Sequence, residues 1–264
     1  MRKDYIENEE SEASEAEFVE RYWTDKFSQN VDLEKRIKKI GRQDEYLKMK
    51  KYLCPNNNSS LLDVGCGLGD WVMFLERLGH RVTGMDISEK LISKLKNVYP
   101  AGKFLNEDIR QTSIGNDVYD GCYSWGVFEH FEEGPRTCLR EAFRVLKPGG
   151  LLFASVPHQN WRISTRATFE GYDEGLGSKR FYQYRFTRAE WAREILKAGF
   201  DIIDMELIHK PQGVMRCLHH EFGFPYEWVL TRGVAGLVSP ILPASWFAHM
   251  VMGIAKKPGD RIDQ

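Results

Sequence analysis

The run Leu61-Leu62-Asp63-Val64-Gly65-Cys66-Gly67-Leu68-Gly69-Asp70 constrains this chain most, because an apolar strand passes into three glycines at alternate positions and then into a helix. Glycines so placed permit a tight turn and keep side chains out of a ligand's way, while the helix that follows turns its free N–H groups toward an anionic part of the ligand. The spacing departs from the dinucleotide fingerprint. Asp70 stands where G-x-G-x-x-G needs its last glycine, and Asp63 precedes the first one. A carboxylate there repels phosphate and suits an ammonium or sulfonium group, so the loop favours a zwitterionic, cationic cofactor over NAD.

The next segments agree. Arg81 to Asp86 reads as a second strand ending in an acid, and Asp86 lies 21 positions after Gly65, near the spacing at which a carboxylate meets ribose hydroxyls. Lys103 to Asn106 leads to Asp108, placed to accept from an adenine amino group, and to Ile109, placed to pack on the ring. A fourth strand, Val118 to Trp125, delivers Ser124 through His130 to its carboxyl end, the edge where open α/β sheets hold their chemistry.

With these motifs in order, the chain resembles the class I S-adenosylmethionine-dependent methyltransferases, in particular the small-molecule group. The resemblance rests on LLDVGCGLG, VTGMDIS, NEDI, YSWGVFEHF and LKPGGLLFASVP, and covers roughly residues 59 to 210 plus a last strand. It implies a Rossmann-like α/β fold with a doubly wound, mainly parallel sheet of seven strands, and S-adenosyl-L-methionine as cofactor. By position it implies Asp63, Gly65 and Gly67 around the methionine moiety, Asp86 on the ribose, Ile87 against adenine and Asp108 on its amino group. Cys66, Ile109, Ser124 and Trp125 are counted with them as cofactor-binding, Cys66 as a small residue in the loop.

Three helices interleave with these strands: one capped by Ser88 with Leu91, Ile92, Leu95 and Val98 on one face, one from Pro135 burying Leu139, Ala142, Phe143 and Leu146, and one from Thr187 to Lys197. At 264 residues the chain holds one large core. Its formal net charge of −1 gives no field that would attract nucleic acid. Five cysteines, none in a C-x-x-C pair, suit reduced thiols and a cytoplasmic setting better than a disulfide framework.

Residues 1–20 read as a mobile acidic terminus with no signal peptide, seven glutamates falling between residues 7 and 20. Residues 21–58 read as a helical lid segment in which Tyr22 and Trp23 close over the cofactor; packing against the core is the competing reading. Between residues 34 and 51, eight Lys or Arg face three acids, a pattern read as the solvated face of a helix rather than a nucleic-acid or lipid patch. The methyltransferase domain then spans 59–264, with an insertion over 211–247 before the last strand. That insertion holds Phe222, Phe224, Tyr226, Trp228, Trp246 and Phe247 and has no charge between Arg232 and Lys256. It reads as a substrate cap, with peripheral membrane contact or a homodimer surface as rivals.

Methyl transfer asks mainly for in-line positioning, and a hydroxyl acceptor also asks for a base. His130 and His158 follow the fourth and fifth strands and are the candidate bases. Some related enzymes hold a metal with E-x-x-E-H; here Gly126 replaces the first glutamate, so no metal is expected. Arg162, Arg166, Tyr172, Lys179, Arg180, Tyr182, Tyr184 and Arg185 fall in a stretch read as a loop suited to a glycan-like or anionic acceptor, whereas the insertion suggests a lipid. The reading is therefore a methyltransferase for a small molecule, most simply at oxygen. A methylase of RNA or protein and a non-catalytic cofactor-binding partner protein remain alternatives.

Overall fold

The computed structural model describes residues 1–7, 15–27, 32–53, 58–170 and 179–259. Its core is one sheet of order β4-β3-β2-β5-β6-β9-β8, formed by β2 (Ser60–Val64), β3 (Arg81–Asp86), β4 (Lys103–Asn106), β5 (Tyr119–Trp125), β6 (Leu146–Pro157), β8 (Asp201–Ile208) and β9 (Met250–Lys256). The pairs among β2 to β6 are parallel, and β9 runs antiparallel to both neighbours. This is the expected doubly wound sheet. Strand order reverses between β2 and β5, and the crevice outside their carboxyl ends is where such a sheet receives a ligand.

The helices form where apolar spacing and caps predict them. Ser88 Oγ accepts from Leu91 N at 3.2 Å and starts α5 (Glu89–Val98), which buries Leu91, Ile92 and Leu95. Val98, expected on that face, is 58% exposed because the chain leaves the helix one residue later. The helix α6 (Arg136–Val145) buries Cys138, Leu139, Ala142 and Val145 and passes directly into β6. Leu146 is therefore the first residue of a strand and Phe143 only partly buried, against Phe200. Thr187 and Glu190 form a reciprocal capping box at the start of α8 (Arg188–Lys197).

The N-terminal part differs from its reading as a mobile acidic tail. Residues Arg2–Glu7 form β1, paired antiparallel with β7 (Lys179–Arg185) in a second, two-stranded sheet. Residues 15–20, placed in the tail, begin α1 (Glu15–Phe27), while residues 8–14 lie outside the described residues. The stretch read as an acceptor loop is thus partly β7, with α7 (Trp161–Glu170) before it; Tyr172 lies outside the described residues. Thr24 Oγ1 meets Ser88 Oγ at 2.6 Å, which fixes α1 onto the start of α5. The basic run forms α2 (Leu33–Ile40) and α3 (Asp44–Met49), whose Ile37, Ile40 and Met49 are buried while Lys35, Arg36, Lys38 and Lys39 face solvent.

The insertion folds as α9 (Lys210–Phe222), α10 (Val229–Val238) and α11 (Ala244–Phe247). In the middle helix Thr231 and Ala235 are buried, whereas Val229, Leu230 and Leu237 are 85%, 65% and 80% exposed. At Gly213 of α9 an added Cβ would stand 1.5 Å from the Phe247 carbonyl oxygen, so α9 and α11 meet backbone to backbone. Gly213→Ala should cost about 3 kcal/mol or more through this overlap. Chemical denaturation measures it, and an unchanged midpoint would show that the two helices do not touch there. No helix among the described residues is long and apolar enough to cross a membrane.

Candidate active site

The carboxyl ends of β2, β3, β4 and β5 frame a cleft with about 720 Å³ of space free of protein atoms, part of it open to solvent. Gly65, Asp86, Ile87, Asp108, Ile109, Trp125 and His130 line it, as does Trp23 of α1; all had been expected at the site. Val64, Met85, Glu107, Gly126, Val127 and Phe131 line it too and were not foreseen. The signal for these six was available, since each directly borders a motif residue at a strand exit.

The loop geometry follows from its glycines. Gly65, Gly67 and Gly69 all have positive φ, at 75°, 51° and 70°. At Gly65 a Cβ would also stand 2.4 Å from Val127 Cγ2, so the position excludes a side chain twice over. Gly67 N–H donates to Asp86 Oδ2 at 2.9 Å and Ser88 N–H to Asp86 Oδ1 at 3.0 Å. Both carboxylate oxygens are therefore aimed by backbone donors, and each keeps a lone pair for a further donor. Burial pushes the Asp86 carboxyl up, and these two amides oppose that shift. Asp70, at the place of the missing glycine, is buried and paired with Arg36 Nε at 2.8 Å.

Several expected residues stand behind the cleft wall rather than on it. Asp63 is 3% exposed, and burial first, then the charges of Asp70 and Asp86, push its carboxyl well above the ordinary range. Cys66 is buried and its thiol is pushed up by burial and by Asp63, which removes it as a nucleophile. The Ser124 hydroxyl donates to the Val64 carbonyl at 3.2 Å and ties β5 to β2. Tyr22 borders a smaller neighbouring pocket, shared with Trp23, His130 and Tyr182. Asp108 is on the wall, but Arg110 Nη2 and Nε hold its Oδ2 at 2.7 and 3.0 Å.

S-adenosylmethionine fits these residues on two grounds visible in the structure. Among the described residues the wall carries the acids Asp86 and Glu107, with Asp108 paired to Arg110, and no Lys or Arg lines it, which suits a cation. Trp125 lies on the same wall, and its Nε1–H is buried without an acceptor among the described residues.

The two candidate bases are placed differently. His130 ends a single 3-10 turn (Phe128–His130), and its Nδ1 lies 2.7 Å from the Tyr182 carbonyl. A carbonyl only accepts, so Nδ1 carries the hydrogen and Nε2 is the basic nitrogen of the neutral ring. Trp23 and Tyr182 pack on the imidazole at centroid distances of 5.0 and 5.1 Å. His158 is buried with Nδ1 3.4 Å from the Ala248 carbonyl, does not line the cleft, and is pushed down to about 4 by burial. No residue of 211–247 lines the cleft either. Among the described residues no three His, Cys, Asp or Glu side chains are grouped to hold a metal ion.

Glu129, beside His130, is buried, and burial pushes its carboxyl up to about 8. Its folded pKa exceeds the roughly 4.3 of an unfolded chain, so the stability it contributes is present in acid and is lost as pH rises from there through about 8. The slope limit is ~1.4 kcal/mol per pH unit. Glu129→Gln should therefore flatten the decline between pH 5 and 8 in urea denaturation. An equally steep decline in the variant would mean that Glu129 is ionised in the fold.

Residues 62–154 match the family described as a methyltransferase domain. The chain is 27% identical over 180 residues to 2-methyl-6-phytyl-1,4-hydroquinone methyltransferase of Synechocystis, covering 59% of this chain and 56% of the relative. It is 24% identical over 204 residues to a protein of Mycolicibacterium smegmatis named as an S-adenosylmethionine-dependent methyltransferase, covering 77% and 73%. Against three curated relatives it spans between 36% and 56% of their length. Among solved structures, the methyltransferase in the Haloferax volcanii complex with the Trm112 activator superposes with a TM-score of 0.60 at 18% identity, covering 94% of this chain and 99% of that one.

Proposed function

We propose, from the premise that this chain belongs to the class I S-adenosylmethionine-dependent methyltransferases, that it methylates a small-molecule acceptor, at oxygen, with His130 as base. When bound, S-adenosylmethionine supplies a methyl group already activated by the sulfonium. The observation that carries the reading is the acidic cleft at the strand reversal, with Asp86 aimed into it by the Gly67 and Ser88 amides. Asp86 would hold the ribose, Ile87 and Ile109 the adenine faces, and the Asp63-to-Gly67 loop the methionine end.

His130 does the protein's share of the chemistry. Its Nδ1–H, held by the Tyr182 carbonyl, makes Nε2 the basic nitrogen, with Glu129 Oε1 3.9 Å from it, and Nε2 takes the proton from an acceptor hydroxyl. Trp23 covers the same ring and keeps water from it. His158 is assigned no proton transfer because it lies off the cleft. Relatives named malonyl-[acyl-carrier protein] O-methyltransferase and ubiquinone biosynthesis O-methyltransferase support an oxygen acceptor, and cysteines without disulfide partners among the described residues support a cytoplasmic setting.

Calorimetric titration tests the cofactor assignment: S-adenosylhomocysteine should bind and compete with S-adenosylmethionine, and NAD should not. Tight NAD binding would overturn it. Gly65→Ala should weaken S-adenosylhomocysteine at least about tenfold, since left-handed backbone alone costs a non-glycine residue ~1–2 kcal/mol and the Val127 overlap adds to that. Unchanged affinity would place the ligand elsewhere.

A further inference from the structure

The insertion carries apolar side chains that a cap does not account for, since none of its residues lines the cleft. Val229, Leu230, Leu237 and Ile241 stand largely in water along α10 and the turn after it, and Phe222 and Trp228 are exposed before it. Among the described residues fifteen large hydrophobic side chains are exposed, and nine of them fall between 222 and 246, so this surface is gathered rather than scattered. The helices that carry it pack together, α10 on α9 and α11 on α9 and α7. Trp161 of α7 stacks on Trp246 of α11 with ring centroids 6.2 Å apart.

Polar contacts hold this surface outward at both ends of α10. Before it, Tyr226 stacks on His219 of α9 with centroids 4.0 Å apart, and His219 Nδ1 lies 2.9 Å from the Phe224 carbonyl. After it, Lys210 Nζ donates to the Pro240 and Leu242 carbonyls at 3.2 and 3.0 Å, which pins the turn that presents Ile241 to the start of α9. At about 3.6 residues per turn, Val229, Leu230, Gly233 and Leu237 fall at the centre of the exposed arc of α10, opposite buried Thr231 and Ala235. Arg232 falls at the margin of that arc. Between Glu227 and Lys256 it is the one Lys, Arg, Asp or Glu in the sequence.

An aliphatic helix with Trp228 at its start, Trp161 and Trp246 nearby and a cation at its margin complements the boundary between acyl chains and anionic headgroups, where indole rings and basic side chains settle. A second copy of the chain is a poorer match. A stable interface takes about 20–30 residues a side, and the projecting part here is one ten-residue helix with its flanks. That helix spans roughly 15 Å, a length that lies in the interface and does not cross it.

We propose that α10 and the turns flanking it dock the protein on an anionic phospholipid bilayer, with Leu230, Leu237 and Ile241 among the acyl chains and Arg232 at the headgroups. The strands β6 and β8 end, and β9 begins, at the edge of the sheet that holds the cleft, and α7, α9 and α11 adjoin those strand ends. The docking helices and the cleft therefore share one edge. The proposal does not rest on the methyl-transfer reading.

Vesicle flotation tests it, with the full chain mixed with vesicles of phosphatidylcholine alone or of phosphatidylcholine and phosphatidylglycerol together. The wild type should float with the mixed vesicles, saturably in lipid. The double variant Leu230→Glu with Leu237→Glu should lower the apparent partition coefficient at least about tenfold, because it removes apolar contact and adds charge that the headgroups repel. Both side chains are exposed, so its denaturation midpoint should stay in place, and Ile241→Glu provides a second variant if it does not. Arg232→Gln should weaken binding to the mixed vesicles roughly fivefold and change binding to phosphatidylcholine little. A wild type left in solution at saturating lipid, or equal flotation of wild type and double variant, would overturn the docking surface. Equal flotation of the wild type on both kinds of vesicle would overturn the anionic bilayer as its partner. A wild type that sediments as a dimer without floating, and that the double variant converts to a monomer, would make this face a contact between copies instead.

Discussion

His130→Ala is expected to lower turnover by ~10²–10⁴ while leaving S-adenosylhomocysteine affinity within twofold, the range that removal of a positioned general base produces. The expectation follows from the Nδ1 contact with the Tyr182 carbonyl, which fixes the tautomer that leaves Nε2 basic. His130→Gln keeps hydrogen bonding without the base and should be nearly as slow. His158→Ala should retain turnover within about tenfold, because His158 is buried off the cleft. A pH-rate profile separates base from bystander: the wild type should lose turnover in acid as one group protonates, and the His130 variants should lose that limb. Near-normal turnover in His130→Ala would mean that positioning suffices and that the acceptor ionises easily or is an amine.

The second large effect belongs to Asp86. Removing a carboxylate that accepts two hydroxyl hydrogen bonds should cost ~2–4 kcal/mol, roughly 30- to 1000-fold in cofactor affinity. Asp86→Ala also strands the Gly67 and Ser88 amides, which lose their acceptors at 2.9 and 3.0 Å. Asp86→Asn separates the two contributions, because the amide oxygen can satisfy one backbone donor but repels the other with its own N–H₂. Calorimetry on both variants should rank them wild type, Asn, Ala. Equal affinities across the three would remove Asp86 from the site.

What the sequence made legible was local. Gly65, Gly67 and Gly69 announce a backbone that other residues adopt at a cost, so loop, strand and helix could be placed together. Asp86, Ile87 and Asp108 follow because each lies at, or within two residues after, the end of β3 or β4. Less legible was anything joining distant residues. The pairing of Asp4 with Gln183 spans most of the chain, and β1 is too polar to read as a strand. For β7 a signal existed in Phe181, Tyr184 and Phe186 among β-prone neighbours, but its many basic residues drew a loop reading. Asp108 was read as open to adenine, whereas Arg110 lies two residues away and folds back on it.

The basic run over 34–51 shows the same limit. Its charges suggested a surface, and its Ile37, Ile40 and Met49 suggested a core; both are right, because α2 and α3 bury one face and solvate the other. The insertion inverts that rule in α10, where Thr231 and Ala235 are buried and Val229, Leu230 and Leu237 face out. A helical period gives the existence of a face, not the side it turns to.

The decisive measurement is transfer itself. The protein is incubated with S-adenosylmethionine carrying a labelled methyl group and a panel of hydroxylated small molecules, anionic and neutral. Label should appear in a hydroxylated small molecule, with one S-adenosylhomocysteine formed per methyl transferred and loss of both in His130→Ala. Cofactor binding with no label leaving it across the panel, or label arriving only on RNA or protein, would contradict a small-molecule methyltransferase.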